Sequence, residues 1–306
     1  MQLSGLLNEI QTQAHSITDW DDWAQRVERV LSLPFDSVAR AVLLGAQCPL
    51  PAYGFASGYQ VALFVLYPQA NPKQRYAFCV TEPKGNSPKA IETYLQQSPD
   101  GWQLHGHKSF ITAIDQADVF LVAAEVKGAA TNGNKKTIKL VVLEKSTPGI
   151  TLQPLPELPF VAELSHGAMA MDSVAIGESQ ILPGDGYEDY VKRFRTIEDI
   201  HVSAALLGFW LGLAFRFQWP ASAKERLLGV WMQYQGLLAF DFNDSGAHIA
   251  LAGVLRHQAQ CFDELLPQLD TLPEALRNIC IRDRKLEQVA SAAREKRLAK
   301  AWQHID

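Results

Sequence analysis

Several things are scarce in this 306-residue chain, and each scarcity excludes a class of protein. There are only four cysteines, Cys48, Cys79, Cys261 and Cys280, far apart and without paired spacing. A disulfide framework or a Cys-x-x-Cys metal site is therefore not expected, and a reducing, cytoplasmic compartment is. Excess charge is missing as well: 28 Lys and Arg against 33 Asp and Glu leave a formal charge of −5. That gives no global pull toward nucleic acid or an anionic membrane. The longest apolar run, Ser203 to Phe215, falls short of the roughly 18–20 residues of a bilayer span and reads as a buried helix. Met1 to Leu7 show neither a basic leader nor an unbroken apolar stretch, so no signal peptide is expected. Glycine loops of Rossmann or Walker spacing and the Gly-x-Ser-x-Gly elbow do not occur.

What is present is globular: 47% hydrophobic and 20% charged residues, with length for two or three domains at roughly 100–200 residues each. Residues 1–74 read as helical. Leu3, Leu6, Leu7 and Ile10 recur at helical spacing, as do Trp20, Trp23, Val27 and Val30. Thr18 precedes an acidic turn as a helix start, Pro34 ends that helix, and further helices are expected at Val38–Gly45 and Ser57–Leu66. Residues 75–186 change texture to short β-rich runs: Arg75–Thr81, Trp102–Ile111, Val119–Val126, Thr137–Glu144 and Ala168–Ile176. They predict a compact antiparallel barrel or sandwich, with Gly128–Lys136 as a flexible hairpin tip. Residues 187–306 return to a helical period, with four helices expected at about 187–217, 223–242, 247–266 and 273–304. The fold class is α+β multidomain: a reduced N-terminal helical domain, a middle β-barrel domain and a C-terminal four-helix bundle.

Generic site motifs add little. His105 and His107, two apart, could share a strand face and ligate a metal. Without a third ligand at matching spacing, a polar turn is the better reading, and no metal is expected. The basic face of the last helix, with Arg277, Arg282, Arg284, Lys285, Arg294, Lys296, Arg297 and Lys300, reads as solvated above a buried stripe of Leu276, Ile279, Cys280, Leu286, Val289 and Ala293. An anion site there is the less favoured alternative.

One string is more specific. Phe78-Cys79-Val80-Thr81-Glu82-Pro83 is followed by Gly85-Asn86-Ser87, by Asp100-Gly101-Trp102, by Gly106-His107-Lys108-Ser109-Phe110-Ile111-Thr112 and by Ala117-Asp118. Pro148-Gly149-Ile150, Met171–Val174 and Leu182-Pro183-Gly184 come later. In order and spacing this resembles the middle domain of the acyl-CoA dehydrogenase family, most clearly over residues 75–215. The resemblance implies FAD held by the β domain and the C-terminal helices, and oxidation of the CH–CH bond of an acyl thioester carried on CoA or a carrier. It also implies a carboxylate that removes the α proton and a place in lipid metabolism. Carried over by position, Phe78 to Ser87 would line the flavin ring and pyrophosphate, with Val80 in that string and Thr81 on the pyrimidine side. Phe110, Ile111 and Thr112 would flank the other side, and Ser87 would meet pyrophosphate and substrate. Hydroxyls and backbone N–H groups can bond the ring edges and phosphate oxygens without adding charge. Counting back from the helix glycine Gly208 brings Glu198 to the catalytic carboxylate position of some members.

The chain also departs from the family pattern. It is shorter than the family's usual length, and the Arg-x-x-Phe-Gly and Gln-x-x-Gly-Gly segments have no counterpart. Asp199 stands where the family has arginine, Thr196 where it has aspartate, Lys84 for a glycine and Pro88 for an acid. These departures leave a second reading, a catalytically inactive relative without FAD that serves as scaffold or regulatory partner. A homo-oligomer or a hetero-partner enzyme is compatible with either reading.

Overall fold

Helix starts in the N-terminal region are decided by capping side chains. In the computed structural model, which describes residues 3–99, 101–129 and 136–305, α1 is Leu3–Gln13, α2 Trp20–Leu31, α3 Ser37–Gln47 and α4 Pro51–Leu66. The cap of α2 is Asp19 rather than Thr18: its carboxylate accepts from the backbone N–H of Asp21 and Asp22 at 3.0 and 2.9 Å. Asp36 caps α3 in the same way, accepting from the Ala39 N–H at 2.8 Å. α4 begins at Pro51, six residues ahead of the expected Ser57. A proline at the first helical position loses no helix hydrogen bond and has its φ already set, so Pro51 starts this helix instead of interrupting it.

The chain divides into two compact units. One comprises Met1–Pro68, Leu158–Ala162 and Thr196–Asp306, the other Gln69–Glu157 and Glu163–Arg195. The long helix α5, Lys192–Arg216, belongs to the helical unit from Thr196 onward and there runs with its backbone against α3 and α4. A Cβ on Gly208 would stand 2.2 Å from the carbonyl oxygen of Val42, and one on Gly58 2.5 Å from that of His201. Gly186–Arg216 is long and apolar enough to cross a bilayer by length and composition, but 89% of its most apolar window is buried, as in a core helix. α6 (Ala221–Leu237) and α7 (Ser245–Leu265) follow.

The single helix expected over 273–304 is two, α8 (Glu274–Asp283) and α9 (Ser291–Trp302). Asp283, 3% exposed, turns its carboxylate to the N–H of Val161 at 2.8 Å, and Ala290 adopts a left-handed φ of 64°. The supposed apolar stripe does not continue across the break, since Val289 and Ala293 are exposed. Several of the expected solvated cations are paired: Arg282 with Asp283, Arg284 with Asp263 and Glu287, Arg294 and Arg297 with Asp199.

His201, fully buried on α5, ties that helix to α3. Its Nδ1 lies 2.7 Å from the Ile197 carbonyl, which can only accept, so Nδ1 carries the proton and Nε2 accepts from Ser37 Oγ at 2.8 Å. Burial pushes its pKa down to about 4, from an ordinary value of 6.5. The unfolded chain therefore binds the proton more readily, and stability contributed by neutral His201 is lost as pH falls from 6.5 through 4. The expected loss between pH 7 and pH 4 is about 3 kcal/mol. Urea unfolding at both pH values measures it. A His201→Asn variant should show a shallower dependence, and an equal slope would remove His201 as the cause.

The second unit holds one seven-stranded sheet: β1 Tyr76–Cys79, β2 Tyr94–Ser98, β3 Gly101–Thr112, β4 Val119–Val126, β5 Ile138–Glu144, β6 Ile150–Pro154 and β7 His166–Ile176. β5 runs antiparallel along one edge of β4, while β1 and β2 lie along the other edge, both parallel to β4. β3, β7 and β6 continue the sheet antiparallel. Alternate residues, such as Phe120, Val122 and Ala124 of β4 or Val141 and Leu143 of β5, enter a shared core with Leu104, Ile111 and Met169. β2 and β6 are absent from the expected strands because they are only five residues long and mostly polar or exposed, with β6 offering just Ile150 and Leu152 as an alternating apolar pair. His105 and His107 lie within β3 rather than in a turn, and the His105 ring stacks on Tyr94. Residues 130–135 of the expected hairpin tip lie outside the described residues.

Candidate functional site

The residues singled out for flavin fall in two segments of the β unit, the end of β1 with its following loop and the end of β3. A buried ion pair joins them. Lys108 Nζ, with its side chain wholly buried, lies 2.6 Å from Glu82 Oε1 and 3.4 Å from the Val80 carbonyl. Glu82 also accepts from the backbone N–H groups of Glu92 and Thr93 at 2.7 and 3.1 Å. Burial alone would raise the Glu82 carboxyl, but the Lys108 ammonium and these donors hold it below its ordinary value. Burial pushes Lys108 down, opposed by Glu82. Beside the pair, the Ser109 N–H donates to the Thr81 carbonyl at 2.8 Å.

Thr81 and the run from Phe110 to Thr112 are thereby brought together. Just past Lys108 the β3–β7 register shifts, and Phe110 sits in this bulge with φ 53° and 60% exposure. A bulky residue in the left-handed region is rare and costs roughly 1–3 kcal/mol. Here it turns an aromatic face to solvent. Ile111 and Val80 are buried, Ile111 within the β core. Thr81 and Thr112 are half-buried. Phe78 packs its ring on Phe194 at 4.6 Å.

Ser87 is exposed beyond a tight Glu82–Gly85 turn, in which Gly85 takes φ 113°. Close to Ser87 the structure adds a cation that sequence reading missed: Arg195 Nη2 lies 3.3 Å from the Asn86 carbonyl. The donor set of this surface, three hydroxyls, an exposed aromatic ring and one guanidinium near Ser87, is of the kind a flavin with its pyrophosphate requires. Neither Lys108 nor Arg195 had a usable signal beyond a charged residue inside a patterned segment, because their partners lie 26 and 109 residues away.

Glu198 belongs to the helical unit, on α5. It is half-buried and lines a cavity of about 120 Å³ whose walls include Phe55, Val202, Leu206, Leu255 and Ala259. Spacing explains this placement, since residues 198, 202 and 206 recur every four positions and share one face of α5. Asp199, next along, is drawn away to α9: it receives Arg294 Nε at 2.8 Å and is also paired with Arg297. Asp199 thus anchors α9 beside the cavity, which Arg294 and Ala290 also line. A larger groove, about 570 Å³, lies by α8, but Arg277 and Arg284 along it are paired with Asp270 and Asp263.

Comparison with known proteins agrees with these features. Residues 77–174 match the family described as acyl-CoA dehydrogenase, middle domain. Among curated proteins, benzylmalonyl-CoA dehydrogenase of Aromatoleum aromaticum is 29% identical over 154 residues, 49% of this chain and 38% of that protein. The very long-chain specific acyl-CoA dehydrogenase of Rattus norvegicus is 35% identical over 120 residues, 37% of this chain and 18% of that protein. The matched stretches thus span well under half of these relatives' own length. Among solved structures, butyryl-CoA dehydrogenase from Megasphaera elsdenii superimposes with a TM-score of 0.69 at 16% identity, covering 99% of each chain. The prolyl acyl carrier protein oxidase AnaB gives 0.68 at 14% identity, covering 97% of each chain. Residues 77–174 thus match the acyl-CoA dehydrogenase middle domain in sequence, and the chain as a whole has the fold of these dehydrogenase structures, with its helical and β elements in the same order.

Proposed function

We propose that the protein is an FAD-dependent oxidoreductase acting on the CH–CH bond of an acyl thioester of CoA or a carrier protein, with Glu198 as the base. The placement of Glu198 carries the reading: a half-buried carboxylate among apolar walls in a cavity of acyl-group size. A base in that setting meets the α-hydrogen of a bound acyl group with little competing water. When bound, FAD would supply the two-electron acceptor for hydride leaving the β carbon.

The chain's own residues do the rest. Thr81 and Thr112 would offer hydroxyls to the ring edges, and Phe110 an apolar face. Ser87 and Arg195 would meet the pyrophosphate, Arg195 as a charge-assisted donor. Phe78, Val80 and Ile111 would support this surface from behind through packing and backbone groups. The Glu82–Lys108 pair holds its two segments together. On the helical side, the salt bridges from Asp199 to Arg294 and Arg297 fix α9 beside the cavity.

The visible spectrum tests both halves. The purified protein, reconstituted with FAD and freed of excess, should keep a flavin band that bleaches on addition of an acyl-CoA. Glu198→Gln should retain the band and slow bleaching about 10²–10⁴-fold, the usual worth of a positioned base. Bleaching at the wild-type rate would place the base elsewhere. A colourless protein that cannot be reconstituted would overturn the FAD reading.

A further inference from the structure

The basic run at the end of the chain, which the flavin reading leaves unused, borders a groove. Positions 248, 252, 255, 256 and 259 of α7 recur every three or four residues and share one face, and 291, 294, 295 and 298 do the same on α9. A groove of about 250 Å³ lies between these faces. Its floor is apolar: Leu251 is buried, while Leu255, Ala259 and Leu298 are only half-buried and leave hydrocarbon exposed within it.

The rim is cationic, with Arg256, Arg294 and Arg297 all along it. Arg294 and Arg297 share the single carboxylate of Asp199, which leaves one positive charge over. Arg256 is exposed and, among the described residues, has no ion-pair partner. Two carboxylates line the groove as well. Glu287 is taken by Arg284, whose other partner, Asp263, faces the separate groove by α8. Glu295, exposed and unpaired on α9, offsets one of the two surplus cations. Lys296 and Lys300, also exposed and unpaired, keep the neighbourhood positive. Positive charge above an apolar floor suits an anion with a hydrocarbon body, and a guanidinium matches a carboxylate in geometry as well as charge.

Size narrows the occupant further. A helix with its side chains is about 10 Å across, too wide for this groove. By comparison with the roughly 150 Å³ cavity that elsewhere admits one benzene ring, the groove holds about ten non-hydrogen atoms. We propose that the α7–α9 groove is a second binding site, for an alkyl carboxylate of about eight carbons, whose chain covers the leucines and whose carboxylate is met by Arg256. The site differs from the Glu198 cavity, which Arg256 does not line, although Leu255, Ala259 and Arg294 form walls of both. It does not depend on the thioester reading.

Calorimetric titration of the full chain with octanoate tests this. Octan-1-ol, which has the chain without the charge, and inorganic phosphate, which has charge without a chain, are the comparison probes. Octanoate should bind at least about fivefold tighter than either. Arg256→Met keeps an apolar stem at an exposed position and should weaken octanoate about fivefold. Glu295→Gln removes the lone carboxylate and should tighten it about twofold. Octanoate binding that is absent, or unchanged in Arg256→Met, overturns the site, since an acid seated in the Glu198 cavity would not respond to Arg256. Octan-1-ol binding as tightly as octanoate removes the role of the charge. Phosphate binding as tightly removes the role of the apolar floor, and either result overturns the assignment to an alkyl carboxylate.

Discussion

Gly45→Ala is expected to lower stability by about 3 kcal/mol, the upper end of what overpacking usually costs. A Cβ at that position would stand 1.9 Å from the carbonyl oxygen of Ala205 on α5. The obstacle is backbone, so no rotamer change relieves it and the helices must separate. The contact is reciprocal, since a Cβ on Gly208 or Gly212 of α5 would meet the carbonyls of Val42 and Ala46 on α3 at 2.2 and 2.4 Å. Opening one contact therefore loosens its neighbours. Gly229, exposed inside α6, is the control, because a Cβ there would have nothing within 4 Å. At that position the same substitution should stabilise by about 1 kcal/mol, because alanine loses less backbone entropy in a helix. Urea denaturation of both variants reads the opposite signs. A Gly45→Ala midpoint equal to wild type would mean that α3 and α5 are not in backbone contact. α5 also carries Glu198, so a shifted α5 moves this carboxylate relative to the cavity it lines.

Gly208 also shows how far sequence reading reaches. As a family landmark it permits the gapless count to Glu198, although nothing in the pattern reveals that it presses on Val42. Local signals behave similarly elsewhere. Apolar periodicity locates α2 and β4, since their repeats are set by burial on one face. Strand pairing is harder: that β1 and β2 share one edge of β4 depends on contacts remote in sequence. The break before α9 leaves no local mark because Asp283 and Asp199 bond to groups more than ninety residues away. At the site, the string from Phe78 to Ser87 is legible because it is contiguous. Lys108 stands in the sequence as one letter of a motif, and its partnership with Glu82 requires two strands to meet.

Lys108→Met should cost about 3–5 kcal/mol, because it removes one member of a fully buried ion pair and leaves the other uncompensated. The variant's dependence on pH identifies the cause. In the wild-type protein Lys108 and the neighbouring N–H donors keep the Glu82 carboxyl below its ordinary value. Without the ammonium, burial dominates and raises that carboxyl above its unfolded value. A group raised in the folded state contributes stability below its unfolded pKa and loses it as pH rises through the folded one. Lys108→Met should therefore be least impaired in mild acid and most impaired above neutrality, the reverse of the trend from His201. Adding Glu82→Gln should recover part of the loss at neutral pH, because the double variant buries no lone charge and the glutamine oxygen still accepts from one of the Glu92 and Thr93 N–H groups, which donate to different oxygens of the carboxylate. Both variants should also bind FAD more weakly, since the pair ties the segment holding Thr81 to the one holding Phe110 and Thr112. Parallel urea curves and flavin titrations at two pH values check all three expectations. A Lys108→Met loss independent of pH would assign the cost to packing of the lysine stem rather than to the buried charge.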